Sequence, residues 1–251
     1  MPNLHIIKMR TSNKILLTIL LAIMTVFTGI HVALYAKYKS GSYTNFQDVQ
    51  IGNIDRHDLK KMSHISITGL ENVAIFPADT FHVDIEKIGF GEVSLNIEGD
   101  SLILRGDSTI KQPNKPDYVR RSNKNVSIYV PSDQIIVVNN SSLQLNGTVA
   151  PDKSQSYQFI LKNESDIRLN ENDWNDSTIK YYRKLNILAG NSCKIELTAH
   201  AHIDELNLML TGTEFTDRNA VINRLAVHSD SLSSLQISGG NLMNLIVTRD
   251  H

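Results

Sequence analysis

Apolar residues follow two contrasting patterns along the chain. Residues 15–35 read ILLTILLAIMTVFTGIHVALY and contain no Asp, Glu, Lys or Arg. From residue 63 onward, apolar and polar positions alternate in short segments, which is typical of half-buried β-strands. No segment after the first apolar run has the period of an amphipathic helix over three turns. The sequence therefore predicts one apolar helix followed by an all-β body.

The apolar run predicts a transmembrane anchor at residues 15–35. A helix rises about 1.5 Å per residue, so the run is long enough for a hydrocarbon core of roughly 30 Å. Lys14 precedes it, and Tyr35 and Lys37 form an aromatic and basic border at its other end. A cleaved signal peptide is the alternative, but its apolar region is usually about 7–15 residues long and ends at a small-x-small site. We therefore expect an uncleaved anchor.

The charges beside the anchor predict its orientation. Lys8, Arg10 and Lys14 precede the run, whereas Lys37 and Lys39 follow it. The flank with more basic residues tends to stay in the cytoplasm. We therefore expect residues 1–14 to be cytoplasmic and the C-terminal body to be periplasmic or extracellular. Residues 36–62 are polar without a clear period and are interpreted as a linker. Residues 63–251 are interpreted as one β-domain.

Alternation predicts the strands of the first half of this domain. The segments are HISITGLENVAIF, FHVDIEKI, EVSLNIEGDSLILRGD and NVSIYVP. The polar segment KQPNKPDYVRRSNKN, residues 111–125, separates the last two and predicts a protruding loop. The inward positions should be the alternating apolar residues, since successive side chains of a strand point to opposite faces.

The second half contains an internal repeat of two apolar strands around a small polar corner. Units begin at Ile135, Phe159, Leu185, Leu206, Leu225 and Leu245, at spacings of 24, 26, 21, 19 and 20 residues. Such a period is typical of a β-solenoid, whose coils stack and bury inward apolar rows. A β-sandwich of consecutive hairpins is the alternative. Within the unit at Leu206, the alternation predicts that Leu208 is buried and Asn207 exposed.

The order of these segments is similar to that of the GIN domain, a candidate head domain of auto-transporter adhesins in Bacteroidota-type bacteria. The residues that carry the likeness are ISITGLENVAIF, FHVDIE, VSLNIEGDSLIL and VSIYVP, followed by the repeats. The corners NNSS, KNESD, AGNS and SDSLSS depart from the Ser-Gly-Ser-Gly corners of the family, so the chain resembles a divergent member. The resemblance implies a right-handed parallel β-helix on the cell envelope.

Composition and motifs exclude several functions. With 25 Lys and Arg against 26 Asp and Glu, the net charge of -1 does not favour nucleic-acid binding. The single cysteine, Cys193, excludes an internal disulfide and is predicted to be buried on an apolar face. GxSxG, HExxH, P-loop and Rossmann motifs do not occur. We therefore expect no catalytic residues, no cofactor and no metal, and His200-x-His202 is interpreted as an exposed strand end.

An acidic segment around a single tryptophan is the predicted contact surface, formed by Glu164, Asp166, Asp173, Trp174 and Asp176. The spacing of these carboxylates does not match a calcium loop. An aromatic side chain flanked by charge can anchor a partner within an electrostatic rim. The sequence thus predicts a non-enzymatic, membrane-anchored envelope protein for adhesion, binding or scaffolding, whose partner is an unknown protein or glycan. A β-helix polysaccharide hydrolase or lyase is the alternative.

Overall fold

The computed structural model describes residues 11–39, 53–107, 109–110, 118–119, 121–169 and 178–249. The chain divides into two compact units, Met1–Gly52 and Asn53–His251. Helix α1 belongs to the first unit, and the strands belong to the second. The second unit thus begins upstream of residue 63, where alternation becomes evident in the sequence.

Helix α1 spans Thr11–Lys39. Residues Asn13–Lys37 are long and apolar enough to cross a membrane, and apolar side chains such as Phe27 are exposed. Several polar side chains in this stretch bond to the carbonyl oxygen four residues earlier, as the Thr25 hydroxyl does to Leu21 at 2.8 Å. Such bonds lower the cost of placing a hydroxyl in an apolar phase. The helix fits either a single membrane span or a signal sequence.

Short strands make up most of the second unit. They are β1 Ile54–Asp58, β2 His64–Thr68, β3 Leu70–Pro77, β4 His82–Glu86, β5 Glu92–Glu98, β6 Ser101–Asp107, β7 Thr109–Ile110, β8 Tyr118–Val119, β9 Ser122–Val130, β10 Gln134–Asn139, β11 Ser142–Leu145, β12 Gln155–Lys162, β13 Asp166–Leu169, β14 Lys180–Ala189, β15 Lys194–Leu197, β16 Ala201–Leu210, β17 Glu214–Asp217, β18 Val221–Ser229, β19 Ser234–Gln236 and β20 Leu245–Arg249. A 3₁₀ turn at Pro151–Lys153 and a short helix α2 at Gly239–Leu242 complete the described elements.

Two nine-stranded sheets contain nearly all of these strands. Sheet A has the order β1-β4-β9-β3-β11-β13-β15-β17-β19, and sheet B has the order β20-β18-β16-β14-β12-β10-β2-β6-β5. From β10 onward, consecutive strands alternate between the sheets, and each pairs in parallel with the next strand of its own sheet. Parallel neighbours need a crossover connection, and here the intervening strand of the other sheet provides it.

The core consists of the inward side chains of the two sheets, which stack in register from strand to strand. Leu185, Leu206, Leu225 and Leu245 occupy successive paired positions in sheet B, so the repeat predicted from Leu185 onward is confirmed. Val93 and Leu95 are only half-buried and Ile97 is exposed, but the other predicted inward residues of the first strands are buried, namely Ile65, Ile67, Val73, Ile75, Phe81, Val83, Ile85, Leu102, Leu104, Val126, Ile128 and Val130. Burial of these apolar rows away from water is the main force that holds the sheets together.

The first two repeat units are offset from the predicted alignment. Phe159 pairs with Ile187, two residues beyond the predicted partner Leu185, and Ile135 pairs with Gln158 on the outer face. A slip of two residues preserves the apolar pattern, whereas a slip of one residue exchanges the two faces. Apolar pairs on neighbouring strands look alike in sequence, so the pattern alone does not fix the pairing.

Three further differences concern the start of the second unit and its edges. Strand β1 lies within residues 36–62, which the sequence pattern assigned to a linker, and it pairs antiparallel with β4. Residues 122–125 belong to β9 although they fall in the predicted loop. Ile97 is exposed despite its alternating position, because β5 forms the edge of sheet B. An edge strand has a neighbour on only one side, so its side chains are covered less completely.

A row of small residues precedes the strands β11, β13, β15, β17 and β19 of sheet A. Its members are Ser141, Ser165, Cys193, Thr213 and Ser233. The backbone carbonyl oxygen of each of the first four accepts a hydrogen bond from the backbone N–H of the residue after the next member. The Ser165 hydroxyl donates to the Val138 carbonyl oxygen at 3.2 Å, and the Thr213 hydroxyl donates to that of Gly190 at 2.8 Å. Burial raises the pKa of the Cys193 thiol. The predicted burial of this cysteine is confirmed.

Candidate functional site

One row of outward residues crosses all nine strands of sheet A. In spatial order it contains Arg56, Asp84, Ser127, Ala74, Gln144, Arg168, Glu196, Thr216 and Gln236. Ser127 and Ala74 are the smallest members, and their neighbours on either side have longer side chains. The outer surface is therefore lowest where β9 and β3 lie next to each other.

A groove of about 460 Å³ lies over these two small residues. Its volume falls within the range of roughly 300–1,000 Å³ that is common for ligand sites. Amide and hydroxyl side chains supply most of its polar lining, and these are Asn72, Asn125, Ser127, Ser142 and Gln144. The apolar residues Val73 and Val126 also line the groove. The groove therefore offers many neutral hydrogen-bonding groups around a shallow base.

Two of the three charged residues of the groove, Glu86 and Arg168, have partners within the protein. Glu86 accepts a hydrogen bond from the Asn125 side-chain amide at 2.8 Å. Arg168 Nε lies 3.8 Å from Glu196 Oε2, and Glu196 also pairs with Arg218. Glu71 is the third charged residue of the lining. Two acids and one base leave the groove slightly acidic.

Three aromatic rings stack on the same face, beside the groove. The Phe76 and Tyr129 ring centroids are 5.1 Å apart at an interplanar angle of 19°, and those of His82 and Tyr129 are 4.2 Å apart at 10°. Phe76 and Tyr129 each follow a groove residue, Ala74 or Ser127, by two positions, which is about 6.6 Å along a strand. The Tyr129 ring thus stacks with two rings, Phe76 and His82. The Phe76 ring stacks with Tyr129.

An ion pair holds the outer end of the row beside the rings. Arg56 Nε and Nη2 donate to the two carboxylate oxygens of Asp84 at 2.7 and 2.6 Å. Such a bidentate pair fixes the geometry as well as the charge. The hydrogen bonds from Arg56 lower the pKa of Asp84, although burial opposes this effect. The pKa of Tyr129 is raised, first by its burial and then by the negative charge of Asp84.

The outer face of sheet B has a different chemistry. In spatial order, a paired row on it contains Ile103, Ser66, Val137, Ile160, Leu188 and Met209, and the last two are exposed. Exposed apolar rows are often contact surfaces. However, the convergent polar groups that orient a bound molecule are found on sheet A. We therefore regard the groove on sheet A as the candidate site.

Two of the predicted contact residues lie close to this groove. Asp166 begins β13 and accepts a hydrogen bond from the Ser142 hydroxyl, which lines the groove, at 2.7 Å. Arg121 joins the two residues, since Nη2 donates to the Glu164 carbonyl oxygen at 2.5 Å and Nη1 lies 3.7 Å from Asp166 Oδ2. Asp173, Trp174 and Asp176 lie outside the described residues. The proposed contact by this segment therefore stays a prediction.

The other residues singled out in the sequence are the histidine pair and the borders of the predicted anchor. His202 is on β16 and its ring lies 5.2 Å from that of Tyr181, whereas His200 precedes the strand. Within the described part of the chain, no group of three His, Cys, Asp or Glu side chains could hold a metal ion. Lys14, Tyr35 and Lys37, the predicted borders of the anchor, lie on α1 with exposed side chains.

The groove and the aromatic stack were not predicted from the sequence. One signal was present, because Phe76 and Tyr129 occupy outward positions next to buried Ile75 and Ile128. Aromatic residues at outward positions can pair across two strands when these strands are neighbours. The pairing of β3 with β9, which are far apart in sequence, was needed to bring them together.

No protein-family model matches the sequence, and no curated protein matches it significantly. Three solved structures show a remote likeness. A candidate lipid-binding protein from Parabacteroides distasonis ATCC 8503 is 11% identical, with 79% of this chain and 93% of that chain covered and a TM-score of 0.26. A candidate adhesin from Parabacteroides merdae ATCC 43184 is 8% identical, with coverages of 78% and 91% and a TM-score of 0.30. A candidate adhesin from Parabacteroides distasonis ATCC 8503 is 10% identical, with coverages of 78% and 93% and a TM-score of 0.27. Likenesses at these TM-scores carry no conclusion about this chain.

Proposed function

We propose that the protein is a membrane-anchored binding protein of the bacterial cell envelope. Helix α1 anchors it, with residues 1–14 in the cytoplasm and the second unit in the periplasm or on the cell surface. The second unit is a right-handed parallel β-solenoid related to the GIN domain. It serves adhesion, binding or scaffolding and turns no substrate over.

The strand order supports the solenoid. Consecutive strands from β10 to β20 alternate between sheets A and B, so each turn of the chain adds one strand to each sheet. Stacked turns of this kind bury their inward rows against one another. The right hand follows from the strong preference of parallel strands for right-handed crossovers.

Helix α1 supports the anchor. Its apolar stretch of 25 residues, Asn13–Lys37, has a length of about 37 Å at ~1.5 Å per residue. This exceeds the roughly 30 Å of a hydrocarbon core, so the stretch could span it with some tilt. Tyr35 and Lys39 at its end also interact, with the Lys39 Nζ atom 6.0 Å from the ring centroid. Aromatic and basic residues of this kind are common at membrane interfaces.

The groove on sheet A is the observation that carries the binding function. Its lining is mostly neutral, and two of its three charged side chains, Glu86 and Arg168, are engaged with Asn125 and Glu196. Amides and hydroxyls bind and orient a partner, but nucleophilic or acid–base catalysis needs a nucleophile next to a base, or a proton donor and acceptor at the reacting bond. The acidic segment with Glu164, Asp166 and Trp174 is proposed as a second part of the same contact.

Retention of envelope material tests this function. The full chain in mild detergent is immobilised and exposed to a solubilised envelope extract, alongside Ala74→Gln and Thr216→Gln. Both positions lie on the same outer row of sheet A, but only Ala74 lies in the groove. Wild type and Thr216→Gln should retain the same material, and Ala74→Gln should lose it. Equal retention by all three would exclude the groove, and Trp174→Ala tests the acidic segment in the same way.

Location and catalysis need their own measurements. The full chain should fractionate with membranes, and protease added outside the cytoplasmic membrane should digest the second unit while sparing residues 1–14. Incubation with polysaccharides should release no sugar. Sugar release that is abolished by Glu86→Gln would instead establish the hydrolase or lyase alternative.

A further inference from the structure

The hydrogen-bonding groups of the groove indicate which chemical class of ligand fits it. Asn72 donates to the Asn123 carbonyl oxygen at 3.0 Å, and Gln144 donates to Asn146 Oδ1 at 3.3 Å. A primary amide has two N–H donors and one acceptor oxygen. One internal bond therefore leaves each amide with further capacity, and such groups suit a ligand that both donates and accepts, as a hydroxyl does.

An added peptide strand does not fit this site. Strands β9, β3 and β11 each have a neighbour on both sides within sheet A. Peptide recognition by strand addition needs a free edge with unpaired backbone groups. A ligand in the groove must therefore bind to outward side chains.

The charged residues of the groove favour a neutral ligand over an anionic one. Glu71 and Glu86 line the groove, and among the described residues of its lining Arg168 is the only basic one. Arg168 is also within ion-pair distance of Glu196. A polymer of carboxylates or sulfates would meet two acids without a free base, which disfavours its binding.

The stacked rings supply an apolar surface beside these polar groups. Phe76 follows Ala74 of the groove floor by two residues, and its ring is backed by Tyr129 at 5.1 Å. A backed ring is held in place, so it loses little conformational entropy on binding. Sugar rings combine hydroxyl groups at their edges with C–H groups on their faces, and those faces pack on aromatic rings.

We propose that this groove binds a neutral glycan chain, with Phe76 as the stacking platform and Asn72, Asn125 and Gln144 as the hydroxyl-binding groups. This inference rests on the binding function proposed above and names its ligand class. Ala74 and Ser127 keep the floor low enough for the chain to lie across β9 and β3.

Binding to defined polysaccharides tests the inference. The full chain in mild detergent is titrated with dextran, mannan and laminarin, which are neutral, and with polygalacturonate, which is anionic. At least one neutral polysaccharide should bind, and added salt should not weaken the binding, because no charge is neutralised. Failure of all three neutral polysaccharides, or preferential binding of polygalacturonate, would overturn the inference.

Variants locate the binding on the protein. Phe76→Ala should weaken it by about fivefold, which corresponds to loss of one aromatic contact. Phe76→Leu keeps an apolar side chain and should weaken binding without loss of folding, and Ala74→Gln fills the floor. Tyr181→Ala removes a ring that lies 5.2 Å from the His202 ring in sheet B, and binding by this variant should stay within about twofold of wild type. Equal effects of Phe76→Leu and Tyr181→Ala would overturn the assignment to this groove.

The retention experiment separates this inference from the proposed function. If the extract is retained in a manner sensitive to Ala74→Gln but no neutral polysaccharide binds, the glycan inference is wrong while the binding function stands. If a neutral polysaccharide binds and also displaces the retained material, both are supported. If neither wild type nor any variant retains material from the extract, the binding function itself is refuted.

Discussion

Replacement of Leu208 by alanine is the sharpest test of the packing between the two sheets. Leu208 lies on β16, is 2% exposed, and pairs with Ile187 on one side and Val227 on the other. The next residue, Met209, points to the outer face of sheet B and is 54% exposed. The two residues are adjacent on one strand and have apolar side chains of similar size, so the main difference between them is the face of the sheet that they occupy.

The expected loss of stability follows from the buried volume. Leu208→Ala removes three carbon groups, which correspond to about 2.4 kcal/mol at ~0.8 kcal/mol each. The paired strands on both sides prevent the site from collapsing, so a cavity remains and raises the loss to roughly 3–4 kcal/mol. Met209→Ala removes atoms that are already exposed to a large extent and should cost about 0.5 kcal/mol.

Urea unfolding of the full chain in mild detergent, followed by circular dichroism, measures both variants. The slope of the unfolding free energy against urea should stay constant, so that a shift of the midpoint reports stability alone. A loss at Met209 equal to that at Leu208 would refute the register of β16. Asn207 is not a suitable control, because it is half-buried and its amide donates to Asn186 at 2.8 Å and to Glu205 at 2.9 Å.

Three further predictions concern other parts of the second unit. Cys193→Ser should change the unfolding free energy by about 1 kcal/mol or less, because a residue with a hydroxyl group, Ser165 or Thr213, occupies the same place in the two neighbouring turns; the native thiol should react with thiol reagents only slowly, and rapid reaction would show that it is exposed. A Cβ atom at Gly106 would lie 2.3 Å from a backbone carbonyl oxygen of the facing segment, so Gly106→Ala should cost about 1–3 kcal/mol, whereas Gly239→Ala has nothing within 4 Å of the new atom and should be nearly neutral. The lowered pKa of Asp84 means that its pairing with Arg56 stabilises the protein above the pKa of the unfolded carboxyl, and that this stabilisation is lost as the pH falls through the folded pKa. Arg56→Gln should therefore flatten the loss of stability as the pH falls below about 5, and an unchanged dependence of stability on pH in this acidic range would contradict the role of the pair.

The amino-acid sequence by itself determined the elements whose signals are local. The run at residues 15–35 contains no charged residue, and α1 includes all of it. Strict alternation predicted the buried residues of most strands, since a side chain's face depends only on its position along its own strand. The spacing from Leu185 to Leu245 also matched the register of β14, β16, β18 and β20. There each turn has a similar length, so sequence distance and spatial alignment agree.

Only the tertiary structure decided the position of the candidate site. Ala74, Ser127 and Gln144 come from β3, β9 and β11, and they become neighbours because parallel pairing aligns these strands in one sheet. Strand β1 has a weak apolar pattern because it lies at an edge, so its pairing with β4 was not evident from its residues. A row that crosses a sheet combines one residue from each strand, and the pattern within any single strand does not specify its neighbours. The inward face was therefore readable from the sequence, whereas the outer face required the pairing of the strands.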